Sequence, residues 1–172
     1  MTARITLVTG GARSGKSRYG ESLITALPPP WVYVATAEAG DAEMVARIAE
    51  HRKRRPMGWT IIEEPHELAG AFSRIDEAAP VLVDCLTLWL SNRLLVDADF
   101  EKETEGLAGV LAHRTGSVVL VTNEVGSGIV PDNAVARRFR DAQGRLNQRM
   151  AALADRVVLV VAGLPLVVKG NQ

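Results

Sequence analysis

The sequence contains a single cysteine, Cys85. One thiol excludes an internal disulfide, and such sparing use fits a reducing compartment. Net charge is missing too: 20 Lys+Arg balance 20 Asp+Glu. General binders of nucleic acid or of anionic membranes carry basic surfaces, so neither class is indicated. The longest apolar stretch, Val157 to Val168, is too short to span a bilayer and contains Gly163 and Pro165. No signal peptide is visible, because the N-terminus enters the first strand almost at once. Repeats, low-complexity segments and linkers are also lacking. The expectation is one cytoplasmic domain over residues 1–172, without stable membrane insertion and without a nucleic-acid partner. A hydrophobic fraction of 47% gives that domain enough apolar surface for a core.

What is present is organised around Gly10-Gly11-Ala12-Arg13-Ser14-Gly15-Lys16-Ser17. The spacing is Gly, four residues, Gly-Lys-Ser, a phosphate-binding loop. Ile5-Thr6-Leu7-Val8 before it reads as a buried strand. Arg18 to Leu27 after it reads as a helix stopped by Pro28-Pro29-Pro30. Glycine permits the dihedrals that turn backbone N–H groups inward around phosphate oxygens. The helix N-terminus adds unpaired donors and partial positive charge. Lys16 then neutralises the β- and γ-phosphates, and the Ser17 hydroxyl ligates Mg²⁺. The alternative is an ordinary Gly-rich turn; a strand before and a helix after favour the phosphate loop.

Further strands are read at Trp31–Ala35, Trp59–Glu63, Val81–Asp84, Ser117–Thr122, Val157–Val161 and Leu166–Val168. Helices are read from Asp41 to about Arg54, from Pro65 to Ile75, at Leu86–Leu95, at Phe100–Thr115 and from Asn133 to Asp155. The alternation implies an α/β fold: right-handed crossovers and a mainly parallel sheet with helices on both faces. The last two strands are joined by a short turn and are expected to be antiparallel. In this architecture ligands sit at strand C-termini. Thr36-Ala37-Glu38 and Asp84 occupy such ends, and an acid there reaches a Mg²⁺ shell. A purely structural Asp84 is the competing reading.

There are three histidines. His66 and His113 read as ordinary surface or helix residues, and Cys85 as a small core residue. His51 stands near a helix end before Arg52-Lys53-Arg54-Arg55. Nearby cations disfavour imidazolium, and neutral imidazole is a nucleophile able to attack phosphorus. Those cations can hold pyrophosphate or nucleotide phosphates. They can equally be a solvated helix end that complements the dipole, with His51 structural. Arg137, Arg138, Arg140, Arg145 and Arg149 read mostly as the solvated face of the long helix.

Several segments resemble one family, the bifunctional adenosylcobinamide kinase/adenosylcobinamide-phosphate guanylyltransferases of cobalamin synthesis. They are Val8 through Ser17, Ala35-Thr36-Ala37, Arg47-Ile48 with His51 and Arg55-Pro56, and Asp84-Cys85-Leu86-Thr87. The stretch Val121 to Pro131 and Arg138-Phe139-Arg140-Asp141 with Gly144, Asn147 and Gln148 complete them. The resemblance implies a RecA-like phosphate-loop fold and two reactions. ATP or GTP phosphorylates adenosylcobinamide; GMP then passes from GTP to that phosphate through a guanylyl group on His51. It further implies nucleotide contacts by the loop residues, Ala35, Thr36, Ala37, Arg52, Lys53, Arg54, Arg55, Glu63 and Asp84, with Mg²⁺ at Ser17 and Asp84. A homotrimer is implied as well. Read from the loop and Asp84 alone, a small-molecule kinase without guanylyl transfer, or a nucleotide-switched interaction ATPase, would also account for the chain.

Overall fold

The computed structural model describes residues 4–38 and 57–171. The helix expected from Asp41 to Arg54 lies outside them. Seven strands form one sheet: β1 (Ile5–Thr9), β2 (Trp31–Ala35), β3 (Trp59–Glu63), β4 (Val81–Asp84), β5 (Val118–Val121), β6 (Arg156–Val161) and β7 (Leu164–Lys169). Their spatial order is β3-β2-β4-β5-β1-β6-β7. All neighbours pair in parallel except β6 and β7. The described helices are α1 (Lys16–Thr25), α2 (Leu68–Ala71), α3 (Leu86–Leu95), α4 (Phe100–His113) and α5 (Ala134–Leu153).

The central strands are β-branched runs buried on both sides, which is what crossover helices require. Ile5, Leu7, Val81, Val83, Val118 and Leu120 face one way and pack on Leu68, Trp89, Leu90, Leu107, Leu111, Leu146 and Met150. Val8, Tyr33, Leu82, Val119, Val121, Val158 and Val160 face the other way and pack on Ile24 and Cys85. Helices α2 to α5 therefore cover one face, and α1 lies on the other. Gly20 lets α1 sit close to the sheet: a Cβ there would lie 3.1 Å from Val121 and 3.2 Å from Leu82. Caps set two helix starts. Asn133 accepts from the Ala136 N–H at 2.7 Å, and Asp99 from the Lys102 N–H at 3.2 Å.

Two expected elements differ. β7 begins at Leu164 and includes Pro165, not Leu166 onward. An edge strand tolerates proline because its outer side needs no ladder donor. The turn into it, Ala162-Gly163, has φ of 51° and 81°, the positive pair that tight hairpins favour. The expected helix from Pro65 to Ile75 is instead the short α2 followed by a 3₁₀ turn, Phe72–Arg74. Its intended first acceptors are already claimed. Asn92 donates to the Pro65 carbonyl at 3.1 Å, and the Trp89 indole to the His66 carbonyl at 2.8 Å. Tertiary hydrogen bonds thus displace the first helical turn.

Candidate nucleotide site

The loop of residues 10–17 leaves β1 and enters α1. Gly10 admits no side chain: a Cβ would lie 2.5 Å from the Val160 carbonyl oxygen and 2.6 Å from Ser14 Oγ. Gly15 precedes α1 at φ 98°, a conformation glycine adopts without strain. The neighbouring hairpin supports the loop from outside, the Gly163 N–H donating to Ser14 O at 2.8 Å. The first helical bond of α1 is Tyr19 N–H to Gly15 O at 3.0 Å. The opening turn therefore presents backbone N–H groups that lack partners four residues back, a ready anion site. Lys16 is the first helical residue, and its Nζ donates to Gly11 O at 2.9 Å across the loop. Ser17 follows it, half-buried.

Strand register places Asp84, Ala35 and Glu63 on the same edge of the sheet as this loop, two, three and four strands from β1. Ala35 pairs with Glu63 on one side and Asp84 on the other. Asp84 pairs with Val121, and Val121 with Val8, the residue two before Gly10. Glu63, Ala35, Asp84 and the phosphate loop thus share the C-terminal edge of the sheet. Asp84 is half-buried, and the Tyr33 hydroxyl donates to its Oδ2 at 2.9 Å. Thr36 is fully buried and works from beneath: its hydroxyl donates to Cys85 O at 2.7 Å and accepts the Cys85 N–H at 2.8 Å. Ala35 and Ala37, on either side of it, remain partly exposed. Burial pushes the Cys85 thiol up to about 11, the Asp84 charge adding to it and Lys16 opposing it.

His51, Arg52, Lys53, Arg54 and Arg55 lie outside the described residues. His66 is at the surface as expected, with Nε2 2.7 Å from Glu38 Oε1. The arginines of α5 are largely engaged: Arg138 meets Asp97, Arg145 meets Glu101, and Arg149 meets Glu105. Sequence reasoning missed Tyr33, although it lies two residues before Ala35 and so shares its face of β2. It also missed a buried polar cluster of Thr87, Thr122, Gln143 and Asn147, which only the packing of three elements assembles.

The chemistry this edge can perform is phosphate binding and transfer, with a lysine, a hydroxyl and a carboxylate around the loop. Comparison with known proteins agrees. Among solved structures, an ATPase from a bacterial type III secretion system superposes with a TM-score of 0.59 at 13% identity, over 95% of this chain and 56% of that one. A Pyrococcus horikoshii protein, PH0250, superposes with a TM-score of 0.54 at 11% identity, over 98% and 87%. These likenesses show the fold, a RecA-like phosphate-loop α/β arrangement. The bifunctional adenosylcobalamin biosynthesis protein CobP of Pseudomonas aeruginosa is 48% identical over 168 residues, 96% of this chain and 97% of that one. The bifunctional adenosylcobalamin biosynthesis protein CobU of Salmonella typhimurium is 41% identical over 181 residues, covering 95% and 98%. The family model for cobinamide kinase/cobinamide phosphate guanyltransferase matches residues 6–168. The chain belongs to this family, the kinase and guanylyltransferase of cobalamin biosynthesis.

Proposed function

We propose that the chain phosphorylates the aminopropanol hydroxyl of adenosylcobinamide with ATP or GTP. It then moves GMP from GTP onto that phosphate, giving adenosylcobinamide-GDP and pyrophosphate. The observation that carries this reading is the shared sheet edge of Lys16, Asp84, Ala35 and Glu63, in a chain of this family.

Gly10, Gly11, Ala12, Arg13, Ser14, Gly15, Lys16 and Ser17 hold the phosphates. Ala35, Thr36, Ala37, Glu63 and Asp84 border the rest of the nucleotide, with Arg52, Lys53, Arg54 and Arg55 as further anion contacts. Thr36 contributes by fixing the backbone of its neighbours. The Ser17 hydroxyl and the Asp84 carboxylate are hard oxygen donors, and one carboxylate beside phosphates suits Mg²⁺, which supplies charge neutralisation when bound. In guanylyl transfer His51 attacks the α-phosphorus in line, pyrophosphate leaves, and the corrinoid phosphate takes the guanylyl group from His51. Two displacements retain configuration at phosphorus. In the kinase step attack is at the γ-phosphorus, and His51 forms no bond. The chain acts as one domain over residues 1–172, a cytoplasmic homotrimer without nucleic-acid or membrane partners; its single buried thiol supports the compartment.

The test is brief incubation with α-³²P-GTP and Mg²⁺ without corrinoid, then denaturing electrophoresis. Parallel lanes carry γ-³²P-GTP and His51→Ala. Acid-labile, base-stable label from the α position, absent from the variant, is expected. His51→Ala loses guanylyl transfer but keeps some kinase activity, whereas Lys16→Ala damages both steps. Equal loss of both activities in His51→Ala, or net inversion at phosphorus, overturns the covalent route.

A further inference from the structure

The chain after β5 is held more tightly than a connecting loop requires. β5 lies between β4 and β1, so the residues leaving it emerge between Asp84 and the phosphate loop. Thr122 N–H donates to Val8 O at 2.9 Å, and Glu124 N–H to Gly10 O at 3.0 Å. Asn123, between them, is level with Gly10.

Side chains from two helices grip both peptide groups of Asn123. Thr87 Oγ1, at the start of α3, accepts the Asn123 N–H at 2.8 Å. Asn147 Nδ2, on α5, donates to the Asn123 carbonyl at 3.0 Å. Asn147 is oriented in turn: its Oδ1 accepts from Thr122 Oγ1 at 2.7 Å and from Gln143 Nε2 at 2.9 Å. Gln143 also donates to Thr122 Oγ1 at 3.0 Å. Gln143 and Thr122 are both fully buried. Yet among the described residues Gln143 Oε1 has no hydrogen-bond partner, a buried acceptor that an apolar core would avoid. Stability alone does not account for it. The half-buried Asn123 side chain is treated the opposite way: among the described residues nothing hydrogen-bonds its amide. A backbone fixed at both ends with a free amide at the ligand edge is the geometry of a preorganised donor.

We propose that the Asn123 side-chain N–H donates to a non-bridging oxygen of the γ-phosphoryl group during transfer. Thr87, Thr122, Gln143 and Asn147 are its positioning residues. The assignment rests on the kinase reading above. In that step the bond from γ-phosphorus to its bridging oxygen breaks, and the electron pair leaves on the nucleoside diphosphate. The acceptor hydroxyl oxygen bonds phosphorus and its proton passes to solvent. Asn123 is neutral throughout and exchanges no proton; it stabilises charge on the moving group.

The test uses the full chain. Titrations with ADP and with the non-hydrolysable AMPPNP are run beside kinase assays with ATP and adenosylcobinamide. Asn123→Ala leaves ADP affinity unchanged, weakens AMPPNP severalfold and lowers kinase kcat by about tenfold to a hundredfold. Asn123→Asp, which keeps the shape but replaces the donor with a negative oxygen, loses at least as much. Gln143→Met lowers kcat severalfold in the wild-type background and not at all in the Asn123→Ala background, while its cost in urea unfolding is the same in both. AMPPNP affinity and kcat at wild-type level in Asn123→Ala and Asn123→Asp overturn the contact. Additive kcat losses in the double variant overturn the positioning role. A wild-type chain inactive on adenosylcobinamide refutes the kinase reading instead, and the two titrations still decide whether Asn123 meets a γ-phosphate.

Discussion

The Tyr33 hydroxyl donates to Asp84 Oδ2 at 2.9 Å, joining β2 to β4 by side chains at the C-terminal edge of the sheet. One oxygen of Asp84 is oriented before any ligand arrives. Tyr33→Phe removes that restraint while the ring keeps its place 5.9 Å from Trp59. The Mg²⁺ concentration for half-maximal kinase activity is expected to rise about threefold to tenfold, the size of one hydrogen bond. An unchanged Mg²⁺ titration would separate Tyr33 from the metal role proposed for Asp84.

Cys85 should be chemically silent in the folded protein. Burial, reinforced by the Asp84 charge, holds the thiol protonated until about pH 11. Iodoacetamide at pH 7.5 is expected to label the native chain far more slowly than the urea-unfolded chain. Below pH 11 the native rate should climb with pH as the thiolate fraction grows. Rapid native labelling at neutral pH would contradict the enclosed environment.

Glu64 gives stability a pH dependence. Burial alone would raise its pKa, but the Glu67 N–H at 2.9 Å, the Arg74 guanidinium at 2.7 Å and the His66 N–H at 3.3 Å together bring it below the ordinary 4.5. A depressed carboxylate stabilises the fold above its unfolded pKa and loses that contribution as pH falls through the folded one. Glu64→Gln is therefore expected to cost about 1–2 kcal/mol at pH 7, with the gap to wild type closing toward pH 3. Urea denaturation at several pH values measures this; a constant gap would exclude the linkage.

Arg114 is a core residue in all but chemistry. It is 3% exposed, lies 5.3 Å from the Phe72 ring, and donates to the carbonyls of Asp76 and Ala79 at 2.7 and 3.0 Å. A lysine keeps the charge but not the planar fork. Arg114→Lys is expected to lower unfolding free energy by about 2–4 kcal/mol through unpaired buried carbonyls, read from the urea midpoint. A midpoint at the wild-type value would mean that the fork is dispensable.

Much of this architecture could be read from local pattern. Val81–Asp84 is recognisable because three apolar residues followed by a carboxylate need only their own strand. The phosphate loop is recognisable because its glycine and lysine spacing is itself the binding geometry. Features that failed to show are those decided across the fold. Pro65 and His66 look like the start of a helix until Asn92 and Trp89 take their carbonyls. Gln143 looks like an ordinary polar residue of an amphipathic helix until packing brings Thr122 against it and Asn147. Tyr33 looks like a core aromatic until β4 places Asp84 beside its hydroxyl. Residue identity carries local geometry; it does not carry which distant groups will compete for one hydrogen bond.

The central place of β1 also bears on how the molecule is made. Its outer neighbours are β5 and β6, and Ile5 exchanges hydrogen bonds with Asp155, 150 residues further on. During synthesis the Gly10–Ser17 loop emerges well before β5 and β6, the strands that flank β1. At translation rates of about 5–20 residues per second that interval lasts many seconds, with an apolar strand uncovered. A ribosome-bound intermediate lacking β6 would present the complete loop sequence without a complete loop, so nucleotide binding is expected only after β6 has been made.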